Sequence, residues 1–356
     1  MGKILIILLL VALFLVACNT EHTQPTPLAY DGPIIPQAIP EENPEEPTRS
    51  EPIDISAIPH IPRTVTPVTL TIVAGNTLAT FDAKNINGAN YFSFSDLEYT
   101  LEGAFLQEGR LAHVIYTAEA TCYPISEYIY NNNVYLNLRE LTDFLNLRVV
   151  WIDSTNTVII TPNDVYTTEA IFTAEPLPER IITQITGVSF HDNDHFNYDH
   201  LAYLTITHVD FTGKSRIGNI IVAASIAEEV LDIFREIYEY GFPIARMRLI
   251  DYYAAEDYYS MADNNSVGFN FRLIAGTDVL SRHAFGMAID INPVQNPFIR
   301  GDIILPIEGA NYLDRTDIRP GMVIPGDIVY RAFTSRGWIW GGHWSVPTDY
   351  HHFERR

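Results

Sequence analysis

The chain has 356 residues and sets 22 lysines and arginines against 44 aspartates and glutamates, a formal net charge of −22 at pH 7. A surface this acidic lacks the cations needed to displace counterions from phosphates, which excludes nucleic acid as a partner. The length suggests two domains plus appendages in an acidic, soluble product.

Lys3 and the apolar run Ile4 to Val16 read as a secretory signal over residues 1–17, too short to span a bilayer. The run ends Leu15-Val16-Ala17-Cys18, which resembles a bacterial lipobox and implies cleavage before Cys18 and lipidation of its thiol. Only Cys122 then remains, so an intramolecular disulfide is impossible in the mature chain, which must rely on its core and on metal. Residues 18–66 are rich in Pro, Glu and Thr without apolar periodicity. Such a segment buries too little surface to offset its ordering entropy, so it is expected to be a disordered tether stiffened by proline.

Residues 67–163 hold an internal repeat. The string Ile86 to Leu97 aligns with Tyr130 to Leu141, and Leu101 with Leu145. Each copy reads as strand, tight turn at Asn-Gly or Asn-Asn, strand, short helix. Val149 to Asp153 and Thr157 to Ile160 add a closing hairpin. The pattern is similar to the copper amine oxidase N-terminal-like stalk module of exported bacterial proteins, a label that implies neither copper nor oxidase chemistry here. Tyr91, Tyr135 and Trp151 alternate within apolar strands and are expected in the core rather than on a sugar-binding face. Irregular, proline-bearing residues 164–180 read as a linker.

Residues 181–356 are expected to form an α+β domain, a small antiparallel sheet flanked by helices. The ligand-rich string His191 to His200 lacks the glycine and closing glutamate of a calcium loop and reads as a solvated loop before a strand Leu201 to Val209. Ile226, Val230, Ile233, Phe234 and Ile237 share one helical face, ended by Gly241 and Pro243. That helix should pack on a sheet carrying Met247 to Ile250 and Met287 to Ile291. A second packing helix is expected over Ile328 to Ser335, capped by Asp327, with Gly337 beyond it.

The chemistry concentrates in Ser281-Arg282-His283-Ala284-Phe285-Gly286-Met287-Ala288-Ile289-Asp290-Ile291-Asn292 and in Asp349-Tyr350-His351-His352-Phe353. If Met287 to Asn292 is extended, Met287, Ile289 and Ile291 face a core while Ala288, Asp290 and Asn292 face a cleft. Two histidines and one carboxylate make a three-ligand zinc site whose fourth position is left to water.

These strings, with Phe242-Pro243-Ile244, Ser260 to Asn265, Gly268-Phe269-Asn270-Phe271-Arg272 and Gly337 to Gly342, resemble the D-alanyl-D-alanine carboxypeptidase family of zinc peptidases. That family includes VanY-type carboxypeptidases and L-alanyl-D-glutamate endopeptidases. The resemblance implies zinc held by His283, Asp290 and His352, with His351 as an alternative ligand, Asp349 as base, and Arg272 on the substrate carbonyl or developing oxyanion. Ser281, Trp340 and Trp344 are expected to contact substrate. Where an acid is expected between Gly342 and Trp344 the chain carries His343. Asp349 and His352, three residues apart, would point to opposite faces of a flat strand, so a bend is required between them. The implied function is cleavage of peptidoglycan stem peptides outside the cytoplasm, on the bacterial membrane through the lipid on Cys18. The alternative is a non-catalytic wall-binding lipoprotein that keeps the zinc site.

Overall fold

The computed structural model describes residues 65–86, 88–102, 104–105, 125, 127–130 and 133–356. The signal, Cys18, Cys122 and the tether up to residue 64 lie outside them. The chain divides into two compact units between Asn163 and Asp164. Among the described residues no helix is long and apolar enough to cross a membrane.

The first unit is built on a seven-stranded sheet of β1 (Val65–Ala74), β2 (Thr77–Ile86), β3 (Ala89–Ser93), β4 (Glu127–Tyr130), β5 (Asn133–Asn137), β6 (Leu147–Ile152) and β7 (Thr157–Pro162), in the order β4-β5-β3-β2-β1-β7-β6. The sequence repeat is a structural one. Strands β3 and β5 pair antiparallel with Tyr91 opposite Asn137 and Ser93 opposite Tyr135, so equivalent residues exchange places about Phe92 and Leu136. Ser93 and Asn137, equivalent in the repeat, each cap the helix that follows by accepting the N–H of Asp96 and Glu140 respectively. Tyr91 and Tyr135 are buried together, as expected, but Trp151 is 38% exposed and is not a core residue. Strand alternation explains it, since Ile152 next to it points inward at 4% exposure.

The second unit opens with β8 (Val165–Tyr166) and β9 (Phe172–Pro176), continues through β10 (Leu201–Val209) and β11 (Ser215–Ala223), and orders them β8-β11-β10-β9. Residues 164–180 thus carry two paired strands and the start of a helix, Glu179–Ile185, where proline-bearing sequence predicts a linker. Both faces of β10 are buried: Ala202, Leu204 and Ile206 pack under the helix Ala227–Tyr240, while Leu201 and Tyr203 join a second cluster with Phe190 and Phe269. The helix buries the predicted stripe Val230, Ile233, Phe234 and Ile237 and ends at Gly241, whose φ of +78° suits glycine. Its main partner is therefore this larger sheet. Met247 forms only a two-residue strand, β12 (Arg246–Met247), parallel to β13 (Asn265–Ser266), and Ile250 starts a 3-10 turn.

Two three-stranded sheets carry the motif residues. One orders β14 (Ala288–Asp290), β19 (His352–Glu354) and β17 (Ile339–Trp340); the other orders β16 (Ile303–Leu305), β15 (Phe298–Arg300) and β18 (Thr348–Asp349). The helix Ile328–Thr334, capped by Asp327, backs the first of them, with Phe333 stacked on Phe353 at a ring distance of 4.3 Å. The unit is mixed α+β with several small sheets rather than one.

Candidate metal centre

Strand pairing brings the donors together. Strand β14 runs antiparallel to β19 with Asp290 directly opposite His352 and Ile289 opposite Phe353. Alternation sends Ile289 and Phe353 into the core and leaves Asp290 and His352 on the other face. Asn292 does not share that face: the strand ends at Asp290, Asn292 takes φ of +47°, and its side chain bonds Ala245 N–H and the Pro243 carbonyl.

His283 arrives from the 3-10 turn Arg282–Phe285, which Ser281 caps by accepting the His283 N–H at 3.3 Å. Two glycines let this segment press against β11. A Cβ on Gly268 would stand 2.3 Å from the Ile221 carbonyl oxygen, and one on Gly286, at φ of +63°, 2.4 Å from the Ala223 nitrogen. The Gly268 carbonyl, 2.5 Å from His283 Nδ1, takes that proton and turns Nε2 toward the other donors.

His283 Nε2, Asp290 Oδ1 and His352 Nδ1 then form a triangle with sides of 3.2, 3.0 and 3.2 Å. Tetrahedral bonds of about 2.0–2.1 Å separate neighbouring donors by roughly 3.3 Å, so the triangle fits a zinc-sized ion. Two imidazole nitrogens and a carboxylate converging out of water form a group that could hold a cation. Without one, they polarise each other. Burial alone would depress His352, yet hydrogen bonds to Asp290 and Glu354 and the charges of Asp290 and Asp349 raise it to about 10. Burial opposes ionisation of Asp290, but the neighbouring His283 and His351 hold it well below the usual carboxylate range. Glu354, two residues beyond His352 and on the same face, reaches His352 Nε2 at 3.5 Å and so favours Nδ1 as the donor atom.

The triangle lies in the wall of a cleft of about 540 Å³, which Asp349, Arg272, Ser281 and Trp344 also line. The required bend is present: Asp349 ends β18, opposite Phe298, and the chain then leaves that sheet to start β19 at His352. Asp349 is buried, and burial, reinforced by the charge of Asp290, raises it above the ordinary carboxylate range despite the nearby histidines. Its Oδ1 faces His351 Nε2 at 3.0 Å. His351 is fixed through Nδ1 by the Asn296 carbonyl at 2.8 Å and stays outside the three-residue donor group.

Arg272 lines the cleft but is ion-paired with Asp257. Trp340 is not a cleft residue: it is 2% exposed, packs in the core, and gives its indole N–H to the Tyr350 carbonyl. Its place on β17 behind β19 explains the difference from Trp344, whose ring lies 5.4 Å from that of His352. His343 is exposed, beside the Tyr330 hydroxyl and outside the cleft. The 191–200 loop forms no metal-ligand group among the described residues; its Phe196 instead packs against Phe269, Phe271 and Phe285, buttressing the His283 turn. Sequence reading missed Asp257, Glu354 and the Gly268 carbonyl. Of these only Glu354 left a signal, its period-two spacing from His352.

Residues 275–355 match the family model of D-alanyl-D-alanine carboxypeptidase. The match encloses the three donors and Asp349 and leaves Arg272 outside. No curated protein and no solved structure matches the chain.

Proposed function

We propose that residues 181–356 are a zinc metallopeptidase acting on peptidoglycan stem peptides, carried on a stalk and held on the outer side of the bacterial membrane by a lipid on Cys18. The observation that supports this reading best is the near-equilateral donor triangle in a cleft wall with the raised carboxylate of Asp349 beside it. Zinc bound there would supply Lewis acidity and lower the pKa of a coordinated water to about 7.

The chain's own residues set the rest. The Asp349 carboxylate, in the cleft wall beside the donor triangle, is placed to accept the proton of the attacking water. Its raised affinity for protons suits a base that must later return the proton to the leaving amine. Arg272, steadied by Asp257, presents a fixed positive charge to the cleft for the substrate carbonyl. Trp344, Val346 and Pro347 give one wall an apolar surface for the peptide.

Digestion of purified peptidoglycan, read by mass spectrometry with and without chelator, tests the proposal. Stem peptides beginning at D-Glu identify cleavage of the L-Ala to D-Glu bond, and free D-Ala identifies carboxypeptidase action. Asp349→Ala is expected to lower turnover by about 10²–10⁴-fold, with metal content unchanged. An intact wall after incubation with the metal-loaded chain would sink the peptidase reading and favour a wall-binding lipoprotein.

A further inference from the structure

Three arginines line the cleft, and two of them are committed. Arg272 is ion-paired with Asp257, and Arg282 donates through Nε at 3.1 Å and through a second guanidinium nitrogen to the Arg355 carbonyl. Arg300 differs. Its exposed guanidinium has neither an ion pair nor a hydrogen bond among the described residues.

Its position is set by strand geometry. Arg300 ends β15, which is paired with β16 on one side and β18 on the other. Phe298 and Arg300 line the cleft while Ile299 between them does not, as a period of two requires. Phe298 is the register partner of Asp349. The Arg300 Cα therefore lies two residues, roughly 7 Å, along the strand from the position opposite the base. A long cationic side chain on a pinned strand, one pleat from the proposed chemistry, is well placed to hold a substrate by its charge.

The surroundings sharpen this. The cleft also contains Asp257, Asp290, Asp349 and Glu354, in a chain of net charge −22. Asp257 is neutralised by Arg272, and Asp290 belongs to the donor triangle. Arg300 is thus the cleft arginine with neither an ion pair nor a hydrogen bond among the described residues, and its guanidinium is open to an anion. The fork of a guanidinium matches a carboxylate through two parallel charge-assisted hydrogen bonds.

We propose that Arg300 anchors a carboxylate of the peptide substrate and so sets the register in which the peptide crosses the metal centre. This rests on the peptidase reading above. The ligand class is a peptide with a free carboxylate, supplied either by its C-terminus or by the D-Glu residue.

The test is calorimetric binding to the full, zinc-loaded chain carrying Asp349→Asn, with and without Arg300→Gln. The probes are a synthetic stem pentapeptide as the free acid, amidated at the C-terminus only, amidated at D-Glu only, and amidated at both. Arg300→Gln is expected to weaken the free acid by about tenfold or more. One singly amidated peptide should bind the Arg300 chain as weakly and be indifferent to the substitution, which names the carboxylate. Arg300→Lys should recover part of the affinity, since it keeps the charge and loses the fork. Equal affinity for the free acid with and without Arg300 overturns the proposal, as does an equal loss for all four peptides. Failure of the peptidase reading is separate: the chain with Asp349 intact would leave these peptides uncut, while the binding comparison still decides Arg300.

Discussion

Asp251 is a buried carboxylate that the proposed chemistry does not use. It accepts hydrogen bonds from Ser189 N–H and Oγ–H, at 3.2 and 2.9 Å, but burial outweighs them and pushes it up to about 7. Its unfolded value is near 3.9, so between these limits the folded state binds the extra proton. The stability it contributes is therefore present below about pH 4 and is lost as pH rises through about 7. Asp251→Asn, which mimics the protonated acid, is expected to flatten that dependence and to gain on the parent by on the order of 3 kcal/mol between pH 4 and 8. Urea unfolding at several pH values checks it; parallel curves for the two chains would refute the assignment. The tryptophans give the same scale a different lesson. Trp340 and Trp344 are four residues apart in one motif, yet one is core and the other cleft. Composition cannot separate them, because the choice depends on which strand lies behind each ring.

Among the elements, the turn that delivers His283 depends on backbone approach more than on side chains. Gly286 gives its carbonyl to Ala223 N–H at 2.9 Å, and its positive φ and the proximity of β11 leave no room for a Cβ. Gly286→Ala should destabilise the chain by about 2 kcal/mol or more and lower Tm by roughly 4–8 °C, combining left-handed strain with a backbone clash. Metal content should fall with it, because His283 is displaced. Calorimetry and metal analysis on one preparation check both, and an unchanged Tm would show that β11 yields easily. Element types were legible where periodicity was long: the helical stripe from Val230 to Ile237 and the strand Leu201 to Val209 appear where the residues place them. Of the strands carrying the site, the one holding Asp290 was legible from the alternation around it; Thr348–Asp349 and His352–Glu354 were not, since strands of two or three residues are too short to show a period.

For the whole molecule, a net charge of −22 provides no attraction to an anionic leaflet. Membrane attachment would then depend on the acyl chains at Cys18, without the basic patch that assists weakly lipidated proteins. Cys18→Ala is expected to move the chain from the membrane fraction to the soluble fraction. Its persistence on membranes would refute the anchor.

What the sequence determined by itself was chemistry: which side chains could hold a metal, that Asp349 and His352 need a bend between them, and that the 67–163 segment repeats. Each depends on residue type or spacing along the chain. What only the tertiary structure decided was juxtaposition. The pairing of β14 with β19 sets Asp290 against His352, a glycine carbonyl fixes His283, and the end of β15 leaves Arg300 uncommitted. These are contacts between residues far apart in the chain, fixed by strand register and backbone approach. Local pattern carries no record of either.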